Sequence, residues 1–168
     1  LFTLNITDSA FDTMSGPVKW GHPKFEGTVS VAAPVTALNL ITGVGPADVK
    51  ERFRIGEAPG GQLYANPGSK LTGHFEGGQF KGVSGTLNWQ YHEWLGGVAN
   101  IAEPMQTIGI DQLSGDLAAQ IIAPKLLDNG SDIRLLPGAP GSLSVRLQDG
   151  KPSQYSGTVD FRFKDFAE

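Results

Sequence analysis

The chain has 168 residues, enough for a domain with a substantial buried core. Charged residues make up only 18%, the formal net charge is −4, and the Lys and Arg residues are scattered, so a nucleic-acid partner is not expected. Cysteine is absent, which excludes disulfides and zinc–thiolate centres, and no apolar run approaches the roughly 18–20 residues of a membrane-spanning helix.

The 23 Gly and 11 Pro form about a fifth of the chain without a collagen period. Frequent turns favour short strands over long helices. In chain order, Phe2, Leu4 and Ile6 alternate with Thr3 and Asn5, which predicts a strand. The chain opens at Leu1 rather than Met, as a mature or trimmed form would. Residues 13–24 are turn-rich and predict a flexible link. The expected organisation is therefore an N-terminal extension or first strand over 1–24 and a β domain over 25–168.

From Phe25 the alternation is regular: Phe25, Gly27, Val29, Val31, Ala33 and Val35 share one face. Residues 46–54, with a Pro start and mixed charges, suit a short helix or irregular chain. Pro59-Gly60-Gly61 and Asn66-Pro67-Gly68 read as turns. Residues 71–91 predict a hairpin turning at Gly77-Gly78. Residues 116–122 suit a helix or a strand, and 130–141 read as a loop. Residues 142–148 and 155–163 predict adjacent strands joined through Asp149-Gly150 and Pro152. Many short strands punctuated by such turns predict an all-β sandwich or barrel.

Catalytic chemistry is hard to find. His22, His74 and His92 fall in no metal-ligand spacing, and Gly82-Val83-Ser84-Gly85 lacks the spacing of a nucleophile elbow. No catalytic residue, metal or cofactor is predicted, and enzymatic activity is not expected. Carboxylates in a loop-built cleft are the one hydrolytic alternative, and sequence patterns do not reveal them. Two glycosylation sequons occur, at Asn5-Ile6-Thr7 and Asn129-Gly130-Ser131.

Asn88-Trp89-Gln90-Tyr91-His92-Glu93-Trp94 is the densest cluster of functional side chains. Trp89, Tyr91 and Trp94 suit a sugar-stacking platform, with the amides and Glu93 bonding hydroxyls. Equally, Trp89 and Tyr91 share a strand face and suit the core. Lys19-Trp20 is open to the same two readings.

Tyr155-Ser156-Gly157-Thr158-Val159-Asp160-Phe161-Arg162-Phe163 resembles the last strand of chaperone–usher fimbrial (pilus) subunits, and residues 141–147 before it fit the same pattern. Phe25-Glu26-Gly27-Thr28-Val29-Ser30-Val31 resembles the donor strands of cysteine-free K88-like and class 5 pilins. The resemblance implies an immunoglobulin-like β-sandwich, incomplete alone and completed by a donor strand from its neighbour. Phe25, Gly27, Val29 and Val31 would then be the donor residues. Gly157, Val159, Phe161 and Phe163 would line the acceptor groove and the chaperone-contacting strand. The implied partners are neighbouring fimbrial subunits, a periplasmic chaperone and an outer-membrane usher, and the implied location is the bacterial surface; the Trp89–Trp94 cluster adds a host glycan as a candidate partner. Residues 1–6 are a second donor candidate. Alternatively, Phe25–Val35 is a core strand of a complete sandwich, or the chain is a glycan-binding adhesin or carbohydrate-binding module.

Overall fold

The computed structural model describes residues 3–56, 62–128 and 130–163, the side chains of Phe11 and Ala32 excepted. The predicted turn at Pro59-Gly60-Gly61, Leu1 and Phe2 at the N-terminus, and Asn129 of the second sequon lie outside the described residues.

The protein is all-β. Its strands are β1 (Thr3–Thr7), β2 (Ala10–Gly21), β3 (Phe25–Val35), β4 (Gly43–Val49), β5 (Phe53–Arg54), β6 (Leu63–Glu76), β7 (Gln79–Tyr91) and β8 (Leu95–Met105). These are followed by β9 (Asp116–Ile121), β10 (Lys125–Leu126), β11 (Ile133–Leu135), β12 (Leu143–Gln148), β13 (Lys151–Gly157) and β14 (Phe161–Phe163). A large antiparallel sheet runs in the order β1-β2-β3-β4-β6-β7-β8-β9-β12-β13, with β5 on β6, while β10-β11-β14 form a small second sheet. The main sheet is close to a meander, the natural result of strands joined by tight turns. At the β6–β7 turn Gly77 and Gly78 both have positive φ, 56° and 74°, as a two-residue hairpin requires.

By their contacts the residues fall into two compact units. The first holds Leu1–Arg52, Pro67–Leu87 and Asn100–Thr107. Here residues 13–24 are not a link: most of them belong to β2, which pairs with β3 from Gly16↔Val31 to Gly21↔Glu26. Strand β3 also pairs with β4 through Phe25↔Val49 and Gly27↔Ala47, so it has neighbours on both sides. Residues 46–54 fall in β4 and β5 rather than a helix, because ladder pairing overrides the weak helical signal of a Pro start.

The core of this unit gathers Met14, Val29, Val31 and Ile41, with Val18, Trp20, Val35 and Phe75 packed against it. Trp20 meets Phe75 at 5.1 Å and Phe80 at 5.0 Å between ring centroids. His22 stacks on Phe25 at 5.5 Å and meets Phe80 at 4.9 Å, and its Nδ1 accepts the Lys24 N–H. Desolvation in this setting, then the charge of Lys24, lowers the His22 pKa.

The second unit holds Phe53–Asn66, Asn88–Ala99 and Ile108–Glu168. Its part of the main sheet pairs Leu95↔Ile121 between β8 and β9, Leu143↔Ala119 between β12 and β9, and Val145↔Tyr155 between β12 and β13. Alternation buries one face: Leu117, Ala119 and Ile121 on β9, and Leu143, Val145 and Leu147 on β12. Residues 116–122 thus resolve as a strand.

The C-terminal hairpin differs from expectation. Residues 155–163 are not one strand. Strand β13 ends at Gly157, where φ is +120° and a Cβ would fall 2.3 Å from the Ser142 carbonyl oxygen. Beyond it the chain leaves β12, and Phe161–Phe163 pairs instead with Ile133–Leu135 of β11, inside the segment expected to be a loop. A residue that permits a kink, placed mid-pattern, outweighs an uninterrupted alternation.

Candidate functional site

The second unit carries an open cleft of about 680 Å³. Three stretches build it. The first is the end of β7 and the turn after it, where His92 takes φ 50° and its N–H donates to the Gln62 carbonyl at 2.8 Å. That turn carries Tyr91, His92, Glu93 and Trp94 into the cleft wall. The Ile122 N–H donates to the Trp94 carbonyl at 2.8 Å and fixes the far end of the turn. The second stretch is residues 123–128, which contribute Lys125 and Asp128. The third is the edge strand β13, which contributes Pro152 and Tyr155.

Tyr155 pairs with buried Val145 and so belongs to the core-facing side of the sheet. Among the described residues β13 is an edge strand of the main sheet, and Tyr155 stays 48% exposed. Its ring lies 6.5 Å from Trp94, at 29° between planes. Tyr91 stands edge-on to His92 at 4.4 Å. Desolvation, then the neighbouring Tyr91, pushes the Tyr155 hydroxyl above its ordinary pKa. Lys125 Nζ bonds Asp128 Oδ2 at 2.9 Å, with the Asp128 side chain open to solvent. Glu93 is also exposed.

Two aromatic faces inclined at 29°, edged by two carboxylates and an ammonium, can stack an apolar ring face and bond hydroxyls around its rim. The arrangement brings Tyr91 and Trp94 together as the sequence cluster predicts, and adds Tyr155, Lys125 and Asp128. Trp89 does not join them. It is 1% exposed, packed in the core with its indole N–H unpartnered. Asn88 and Gln90 line a second, smaller hollow of about 300 Å³, with Asn66 Nδ2 donating to Gln90 Oε1 at 2.9 Å.

Of the strand-exchange residues, Phe25, Val29 and Val31 are buried in the first unit, and Gly27 lies against the Pro46 carbonyl oxygen. Gly157 ends β13, while Val159, Phe161 and Phe163 are exposed at 38%, 56% and 46%. Elsewhere, His74 Nε2 and Ser84 Oγ lie 2.8 Å apart across β6 and β7, a cross-strand bond that satisfies two half-buried polar groups. Among the described residues no cluster of three potential metal ligands occurs, and no helix is long and apolar enough to cross a membrane.

Fold and cleft together define an all-β protein with a large antiparallel sheet and an aromatic-walled surface cleft. No protein-family model matches the chain, and no curated protein or solved structure is significantly similar to it.

Proposed function

We propose that the chain is a glycan-binding β domain of a secreted or cell-surface protein, and that the Trp94–Tyr155 cleft is its saccharide site. The observation that carries this reading is the Trp94 and Tyr155 pair, 6.5 Å apart and 29° between planes, with Trp94 half-buried, Tyr155 exposed, and Glu93, Lys125 and Asp128 around it. Half-exposed aromatic rings cost solvation, and a ligand with an apolar C–H face recovers it. The fimbrial reading, an immunoglobulin-like sandwich completed by a donor strand, has less support. Strand β3 is held by β2 and β4, so giving it to a neighbour would break both ladders.

Glycan-array binding together with tryptophan fluorescence titration tests the proposal. Trp94→Ala should abolish binding while leaving the thermal transition nearly in place. Retention of array binding by a folded Trp94→Ala chain would sink the reading.

A further inference from the structure

Next to the open cleft lies an apolar cavity of about 400 Å³. Its distinctive walls are Ile121, Leu127, Leu135, Leu143 and Val159. Ile121 and Leu143 come from the core-facing side of the main sheet, and Leu135 from the small sheet. The cavity is bounded by both sheets of this unit. Trp94, Lys125, Asp128 and Tyr155 line this cavity and the polar cleft alike. One wall therefore serves two compartments of opposite character.

The apolar lining continues outward. In the small sheet Leu135 pairs with Phe161 and Ile133 with Phe163, which puts all four on one face. Phe161 and Phe163 stand edge to face at 5.7 Å and remain largely exposed. An apolar strip thus leads from the cavity towards solvent.

Resting on the saccharide reading of the cleft, we infer that the ligand is an amphiphile: a sugar headgroup on the Trp94–Tyr155 platform and a linked hydrocarbon chain in the cavity behind it. A bare saccharide would leave the cavity unfilled. A bare hydrocarbon would leave Glu93, Lys125 and Asp128 without a role. Because the two compartments adjoin along four shared residues, one ligand carrying both chemistries fits them together. The ammonium and carboxylate at the boundary keep water at the headgroup, and the cavity removes the chain from it.

The test uses matched methyl and octyl glycosides of glucose, galactose, mannose and N-acetylglucosamine, with octanol as a headless control, all below micelle-forming concentrations. Each methylene taken from water raises affinity about fourfold. For at least one sugar, the octyl glycoside is expected to bind about fiftyfold or more tighter than the methyl glycoside, the gain of about three buried methylenes. Val159→Trp, at a partly exposed wall position, fills the cavity. It should bring octyl affinity down to methyl affinity and leave methyl affinity unchanged. Equal affinity for methyl and octyl glycosides overturns the inference and leaves the glycan cleft standing. So does octyl binding that survives Val159→Trp. Octanol binding as tightly as an octyl glycoside removes the headgroup, and with it the amphiphile. Failure of every glycoside to bind defeats the saccharide reading and the inference together.

Discussion

Trp94 and Tyr155 are 61 positions apart in sequence, yet their rings lie 6.5 Å apart, at 29° between planes. Three successive ladders produce this meeting: β8 with β9, β9 with β12, and β12 with β13. Trp89, five residues before Trp94, is by contrast buried. The two tryptophans therefore differ in place: Trp89 in the core, Trp94 in the cleft wall.

Trp89→Ala should destabilise the chain by about 3–5 kcal/mol, as truncation of a fully buried aromatic does. Trp94→Ala, at a half-buried position, should cost clearly less, about 1–2 kcal/mol, and abolish glycan binding. Urea unfolding and fluorescence titration of both variants check this. Equal destabilisation by the two substitutions would show that Trp94 is a core residue.

Much of the fold is legible in local pattern. The alternation from Phe25 to Val35 and the glycine pair at 77–78 each mark their elements closely, because period-two burial and turn geometry are local properties. The cleft is legible only in part. Tyr91 and Trp94 stand out by density, but Tyr155 looks like one more strand residue. Its exposure depends on β13 being an edge strand, a fact of long-range pairing. The break at Gly157 fails to show for a related reason: Val159, Phe161 and Phe163 alternate smoothly, while the φ of +120° and the close Ser142 carbonyl that require a glycine there are long-range facts. Residues 13–24 mislead because Gly16, Pro17 and Gly21 suggest turns, whereas pairing with β3 holds that segment extended.

Gly73 is a second case where spacing hides a contact. A Cβ there would lie 2.4 Å from the Trp20 ring. Gly73→Ala should therefore cost about 1–3 kcal/mol by forcing Trp20 off Phe75 and Phe80. The cost should shrink sharply in a Trp20→Ala background, a coupling that a double-mutant cycle in urea measures. Additive costs would mean that the clash is relieved elsewhere.

His22 gives the first unit a pH dependence of definite sign. Its folded pKa is lowered by desolvation and then by Lys24. Between that value and the ordinary imidazole value of about 6.5 the unfolded chain binds more protons. His22 therefore contributes stability above about pH 6.5, and the contribution is lost as pH falls through the folded value. His22→Phe keeps a ring between Phe25 and Phe80 and should flatten this part of the stability–pH curve, measured as the difference between variant and parent from pH 8 to 5. Parallel curves would contradict the assignment.

Tyr155 makes the cleft respond at the alkaline end. Desolvation and Tyr91 raise its pKa, so its hydroxyl stays protonated beyond the ordinary tyrosine range near 10. Ultraviolet titration should contain a late-ionising tyrosine that Tyr155→Phe removes. Saturation of the cleft with a bound glycoside should delay that ionisation further, because the ligand excludes more water from the ring. A late step that persists in Tyr155→Phe would assign it to another residue.

The position of β3 makes a prediction about strand exchange. Phe25, Val29 and Val31 are each at most 4% exposed, and β3 is bonded on both sides. Their burial is worth about 5–9 kcal/mol together, comparable with the whole stability of an ordinary domain. A chain begun at residue 36 should therefore lose its cooperative transition. The intact chain should ignore an added Phe25–Val35 peptide, because its own β3 already fills that place. Calorimetry with and without the peptide reads both outcomes. A rise in Tm of the intact chain on adding the peptide would mean that β3 leaves its place readily enough to be replaced, and would restore donor-strand exchange as the better account of the fold.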